Sequence, residues 1–382
     1  LNTVATSPLA VYIHWPYCDR ICPYCDFNVY KNKGADTDLL QAIVQDLSIW
    51  RVKTGPRQVL SIHFGGGTPS LLSANDIETL IEAVKRLWGF ETGTEIALEA
   101  NPSNLDEGKW QDYHRAGINR LSLGVQTFDD KALSFLGRDH DAEMARKALT
   151  VAKKVFPSVS ADLIFGWAGQ TEADLMTDLE ALLSVDPNHI STYQLTVEDG
   201  TAFAKAESRG LQKAVDADKS ADFFDAVIHA LTQNGFDHYE VSNFAKTGHK
   251  SEHNLSYWRG YDYVGVGPGA HGRLTHDGVK FATISAMRPS TYIQKIVELG
   301  TGLIENDALS SLEQAEEYVL MALRIDEGLS LNRYAEISAV PLESTKYVPL
   351  IDEGFLMLKN DRLIATPKGR FVLNRLCETL LT

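Results

Sequence analysis

Short runs of apolar, β-branched residues alternate through the first half of the chain with longer stretches in which apolar positions recur every three or four residues. The runs predict strands at 10–14, 59–64, 95–99, 120–125, 160–165 and 189–195. The stretches between them predict helices near 36–50, 74–87, 106–116, 142–155 and 172–183, several opened by a capping-type residue such as Ser73 or Asn104. Strands that are apolar throughout, each followed by a helix, belong to a parallel sheet covered by helices. Six such units predict an α/β fold, a partial (β/α) barrel.

In that architecture chemistry gathers where strands run into loops at the carboxyl edge of the sheet. The unusual polar and glycine residues obey this rule. A cysteine loop follows the first strand, and a glycine run (Gly65, Gly66, Gly67) with Thr68 follows the second. Glu99 closes the third strand and Gln126 the fourth, while Asp162 and Tyr193 fall within the fifth and sixth. One shared site at the sheet edge explains this alignment.

After about residue 240 the pattern changes. Residues 251–272 read as a Gly- and aromatic-rich loop, and residues 311–382 as helices followed by two short strands about an Asn360-Asp361 turn and a helix from Pro367. The expected organisation is a barrel over 1–240, a Gly/aromatic region completing it over 241–305, and a small α+β winged-helix-like domain over 306–382. A lid or docking role suits that last unit better than DNA binding. The chain has 36 Lys and Arg against 51 Asp and Glu, a net charge of −15, whereas phosphate attraction needs excess cations.

No apolar run reaches the ~18–20 residues of a membrane span, and Leu1 to Ala10 lacks the basic start and apolar core of a secretory signal. Only four cysteines occur, three of them within eight residues and the last at Cys377. A disulfide framework would spread its cysteines, so a reducing, cytoplasmic location is expected.

Cys18, Cys22 and Cys25 form a C-x₃-C-x₂-C loop. Three thiolates this close suit zinc or iron–sulfur chemistry. Structural zinc closes with four ligands, and His14 is the nearest candidate for the fourth. A [4Fe–4S] cluster held by three cysteines instead keeps one iron open for a small molecule, since four are usual. Three ordinary buried cysteines would not cluster in this way.

With its flanks this loop resembles the signature of the radical S-adenosylmethionine (SAM) superfamily, in the branch of the oxygen-independent coproporphyrinogen III oxidases (HemN) and the haem chaperones of the HemW type. The resemblance spans nearly the whole chain. It rests on YIHWPYC from Tyr12, FGGGTPS from Phe64, EANP from Glu99, LGVQTF from Leu123, LGRDH from Leu136, DLIFG from Asp162 and YEVSNF from Tyr239. It implies a [4Fe–4S] cluster on Cys18, Cys22 and Cys25, with SAM held by Tyr12, Gly66, Gly67, Thr68, Glu99, Gln126, Arg138 and Asp162. Each is chemically apt. Glycines let backbone approach a ligand closely, and Glu99, Arg138 and Asp162 can take the ammonium, carboxylate and ribose hydroxyls of SAM by charge-assisted bonds. The cluster would supply one electron to cleave SAM reductively, which implies an external electron donor.

Two features choose within the branch. The oxidases continue to a fourth cysteine two residues on, where this chain has Phe27, and they carry a longer N-terminal extension than the 17 residues before Cys18. Both fit the chaperone pattern, with coproporphyrinogen III dehydrogenation as the alternative. HNLSYW from His253 adds an HNxxYW motif, which in the chaperones is linked to haem. A neutral imidazole is a good axial iron ligand, so His253 is the first expected ligand and His271 the second, with Tyr257 and Trp258 stacking on the macrocycle. Haem would pass to an acceptor, such as a respiratory membrane haem protein, with peripheral membrane association and no membrane span.

Overall fold

The computed structural model describes residues 7–382. Residues 1–6, the start of the segment read for a secretory signal, lie outside them. Six strands run parallel in chain order: β1 Leu9–Trp15, β2 Val59–Gly66, β3 Glu95–Ala100, β4 Arg120–Gln126, β5 Ser158–Phe165 and β6 His189–Gln194. Helices Thr37–Thr54, Ala74–Trp88, Glu107–Ala116, Ala142–Val155 and Glu172–Val185 cover them. Each predicted strand and helix of this half is present within a few residues. Ser73 caps its helix through a capping box with Asp76; Asp106 rather than Asn104 caps the helix that follows β3.

The sheet extends at both ends without closing. β7 Asp237–Glu240 and β8 Asn243–Ala245 add antiparallel strands beside β6. On the other side β9 Asp262–Val266 runs parallel to β1, and β10 His271–His276, β11 Val279–Ser285 and β12 Leu303–Ala308 follow as an antiparallel meander. The resulting order is β12-β11-β10-β9-β1-β2-β3-β4-β5-β6-β8-β7, an open twelve-stranded sheet.

The expected loop over 251–272 is therefore structured. It holds the short helix Glu252–Trp258 and β9, whose residues Asp262 to Val266 pair with Leu9 to Ile13. A five-residue strand inside a glycine-rich stretch has too little periodicity to be read from pattern. Its partner lies some 250 residues away, so no local turn signals the pairing. The buried Arg57–Asp262 ion pair, at 2.7 Å, fixes the start of β9 against the β1–β2 end of the sheet.

One core, from Leu9 through Leu231 and on to Val264, Leu274 and Ile296, joins the sheet to its helices. Residues 315–381 build a second core around Val319, Leu329, Leu363 and Leu376. There, helices Ser311–Ala322 and Leu331–Ser338 pack with the strands Leu329–Ser330, Leu356–Lys359 and Arg362–Ala365. The hairpin turns at Asn360 with φ of 55°, as the Asn-Asp signal predicts. Ion pairs Lys250–Asp326 and Arg259–Glu327 tie this unit to the region of the short helix.

Candidate functional site

The cysteine loop leaves the end of β1, where Cys18 is buried and Cys22 and Cys25 are half-buried, all as free thiols. It is anchored on the glycine run that ends β2. Gly67 N–H donates to Trp15 O and Thr68 N–H to Tyr17 O, each at 2.8 Å. Gly67 must be glycine, because a Cβ there would lie 2.8 Å from Tyr17 O and 2.9 Å from Pro16 C. Gly66 sits at φ 106°, and a Cβ would meet the His14 ring at 2.6 Å. Thr68 Oγ1 then donates to Cys18 Sγ at 3.4 Å.

A cavity of about 390 Å³ opens above the ends of β1 to β6 and gathers the three cysteines with Gly66, Gly67 and Thr68. Glu99, Gln126, Arg138 and Asp162 line its other walls. Arg138 donates to Cys22 Sγ at 3.3 Å, to Asn101 Oδ1 at 2.6 Å and to Gly124 O at 3.1 Å, while its Nε is buried without a partner. Asp162 accepts from Ser122 at 2.9 and 3.0 Å and from Ser160 at 3.1 Å, and burial pushes its carboxyl up to about 6. Gln126 ends β4 in the left-handed region at φ 68°, which turns the chain out of the sheet. Glu99 bonds His63 Nε2 at 2.9 Å and stays partly exposed.

Burial raises the Cys18 thiol and pushes Cys25 up to about 11, so these sulfurs stay protonated until a metal displaces the protons. The donor set fits an iron–sulfur cubane. Each thiolate of a cubane takes its own iron, and no three His, Cys, Asp or Glu among the described residues converge as a single ion requires. The zinc alternative loses its fourth ligand. His14 Nε2 faces Asn28 O at 3.0 Å and Nδ1 faces Tyr12 OH at 3.0 Å, and His14 lines a different cavity from the cysteines. Since Asn28 O only accepts, the proton is on Nε2 and Nδ1 accepts from the tyrosine.

Tyr12 is not brought to the cluster cavity; it lies a layer below, lining two further cavities. One of these, about 210 Å³, is the polar interior of the barrel beneath Glu99 and Asp162. His253 borders it and is buried. Its Nδ1 is 2.9 Å from Ser61 Oγ and its Nε2 2.7 Å from Tyr257 OH, and its ring stacks on His63 at 4.7 Å. Burial, then His63, holds its pKa well below the usual imidazole value. Both nitrogens are engaged, so His253 meets an iron only by giving up one of these bonds.

A larger cavity, about 780 Å³, lies between the β9–β10 edge and helix Ser311–Ala322. Tyr257 and Trp258 line it, and His271 points there from the start of β10. Asp26, Phe27, Gly66 and Glu99 line both this cavity and the cluster cavity. Phe27, at the position of the oxidases' fourth cysteine, is 63% exposed. The pattern-based reading missed Asn101 and Ser122, which position Arg138 and Asp162. Asn101 lies inside the EANP motif, so a signal for it was present.

Residues 12–182 match the Radical SAM superfamily, and residues 309–372 the HemN C-terminal domain. The chain is 35% identical over 388 residues to "Heme chaperone HemW" of Escherichia coli (strain K12), covering 99% of each. It is 35% identical over 386 residues to "Radical S-adenosyl methionine domain-containing protein 1, mitochondrial" of Bos taurus, covering 98% of this chain and 87% of that one. The solved coproporphyrinogen III oxidase (HemN) of Escherichia coli superposes with a TM-score of 0.82 over 100% of this chain and 92% of that one. At 22% identity that likeness speaks to the fold.

Proposed function

Because the chain belongs to the radical SAM superfamily and, within it, to the family of the haem chaperone HemW, we propose that it binds haem, a [4Fe–4S] cluster and SAM and hands the haem to an acceptor protein. The observation that carries this reading is the 35% identity to HemW over 99% of both chains. Phe27 in place of a fourth cysteine supports it.

In this reading Cys18, Cys22 and Cys25 would hold the cluster, which when bound would supply electrons for SAM chemistry. The residues do the rest. Arg138 offers its spare N–H to the SAM carboxylate, Glu99 takes the ammonium, and Gly66, Gly67 and Thr68 let the ligand approach the backbone. Asp162, with Gln126 beside it, receives the ribose hydroxyls. Tyr12, held by His14, supports the floor of the site from beneath. The HNxxYW segment forms the wall of the large cavity, where Tyr257 and Trp258 offer aromatic surface to a macrocycle.

No helix among the described residues is long and apolar enough to cross a membrane. In this reading a membrane acceptor is met at the membrane surface, from a reducing compartment such as the cytoplasm. The test is anaerobic incubation of the purified, cluster-reconstituted protein with haem and, separately, with coproporphyrinogen III, SAM and reductant. We expect a shifted Soret band with haem, and haem transfer to an apo-acceptor. Formation of protoporphyrinogen IX would overturn the chaperone reading.

A further inference from the structure

The family reading links haem to HNxxYW, but the geometry of that motif turns its histidine inward. His253 is buried with both nitrogens hydrogen-bonded. The adjoining 780 Å³ cavity contains a different histidine. His271 is exposed at the start of β10, and its imidazole makes no hydrogen bond among the described residues.

The cavity around it has the chemistry of a tetrapyrrole site. Its size lies in the upper part of the range for small-molecule pockets, which run to roughly 1,000 Å³, and is twice that of the cluster cavity. Tyr257, Trp258, Tyr261, Tyr263 and Tyr318 give it aromatic walls, and the Trp258 indole N–H is buried with no partner. Of its three cations, Arg273 is already neutralised by Glu317 at 2.9 Å, and Lys280 lies 3.7 Å from Asp262. Arg333 is not neutralised. Its guanidinium lies 5.1 and 5.2 Å from the Tyr261 and Tyr318 rings, and its one side-chain hydrogen bond goes to Gly260 O at 3.3 Å. No carboxylate among the described residues pairs with it. A guanidinium held between aromatic faces without a counter-ion is suited to an incoming carboxylate.

We propose that this cavity takes an iron tetrapyrrole with His271 as its axial ligand and Arg333 receiving a propionate. The proposal rests on the haem-binding reading above and locates the cargo within it. His271 would hold the group there and Arg333 would orient it.

The test is titration of the full, cluster-reconstituted chain with haem and with haem dimethyl ester, followed by resonance Raman spectroscopy of the ferrous form. The variants are His271→Ala, His271→Gly, His253→Gln and Arg333→Gln, with cluster absorbance confirming that each is folded. Wild type should show an iron–histidine stretching band that His271→Ala loses, with haem affinity falling at least about tenfold. Added imidazole should restore the band in His271→Gly, and His253→Gln should keep it. Arg333→Gln should weaken haem by about tenfold while leaving the dimethyl ester unchanged. A band that survives in His271→Ala and disappears in His253→Gln would overturn the assignment while leaving the chaperone reading standing. A wild type that takes up no haem overturns both.

Discussion

Arg370, in the C-terminal unit, donates to Nδ1 of His238 on the edge strand β7 at 2.9 Å. A guanidinium can only donate, so that nitrogen carries no proton; the ring's one N–H is on Nε2 and points to Val241 O at 3.1 Å. Burial first, then Arg370, lowers the pKa of His238 to about 4. Between pH 6.5 and 4 the unfolded chain binds the proton that the folded one refuses. The associated stability is thus complete above pH 6.5 and is lost as pH falls through 4, on the order of 3 kcal/mol in all, of which about 2 kcal/mol falls between pH 7 and 5. His238→Gln, which keeps an acceptor but does not titrate, should remove that part of the acid dependence. Urea midpoints of both proteins between pH 5 and 7 measure it; parallel curves would refute the assignment.

Cys22→Ser should abolish the cluster while leaving most haem binding, within about tenfold, because the proposed cargo site lies across the wall formed by Phe27 and Glu99. Iron and sulfide analysis alongside a Soret titration tests this. Equal loss of haem and cluster would mean a single joint site.

Gly67→Ala places a methyl group against the backbone at Pro16 and Tyr17. Backbone cannot swing aside as a flexible side chain does, so the β1 and β2 ends must part. A stability loss of about 1–3 kcal/mol is expected, together with weaker SAM binding, since the same segment carries Cys18. Calorimetry of unfolding and of SAM binding to the reconstituted protein reads both effects. Unchanged values would show that the glycine run is not packed this tightly.

How far the chain disclosed itself follows from the range of each interaction. β1 to β6 and their helices are local periodic segments, and Glu99, Gln126 and Asp162 were legible because strand ends share one edge. β9 was not, since its pairing with β1 joins Leu9 to Asp262 inside a glycine-rich stretch. His253 was visible as a histidine among aromatics. Its burial between Ser61 and Tyr257 depends on where the helix Glu252–Trp258 packs against β2, which no local pattern encodes. The same holds for the cavity at His271, which exists only once helix Ser311–Ala322 faces β9 and β10.

Asp46 shows the opposite pH signature to His238. It is buried, accepts from Tyr292 OH at 2.7 Å, and burial pushes its carboxyl up to about 7. The folded state then holds a proton that the unfolded state has released between about pH 4 and 7, so stability falls as pH rises through this window. Asp46→Asn should gain about 3 kcal/mol relative to wild type on going from pH 5 to pH 8. Denaturant unfolding at the two pH values decides it, and a constant difference would contradict the raised pKa.

The strip of Asp26, Phe27, Gly66 and Glu99 faces two chambers at once. Any occupant of one chamber that displaces this strip alters the shape offered by the other. Such coupling is reciprocal by thermodynamic necessity. If SAM loosens the cargo by some factor, loading the cargo loosens SAM by the same factor. One exposed phenylalanine, Phe27, would then sit at the hinge of an exchange.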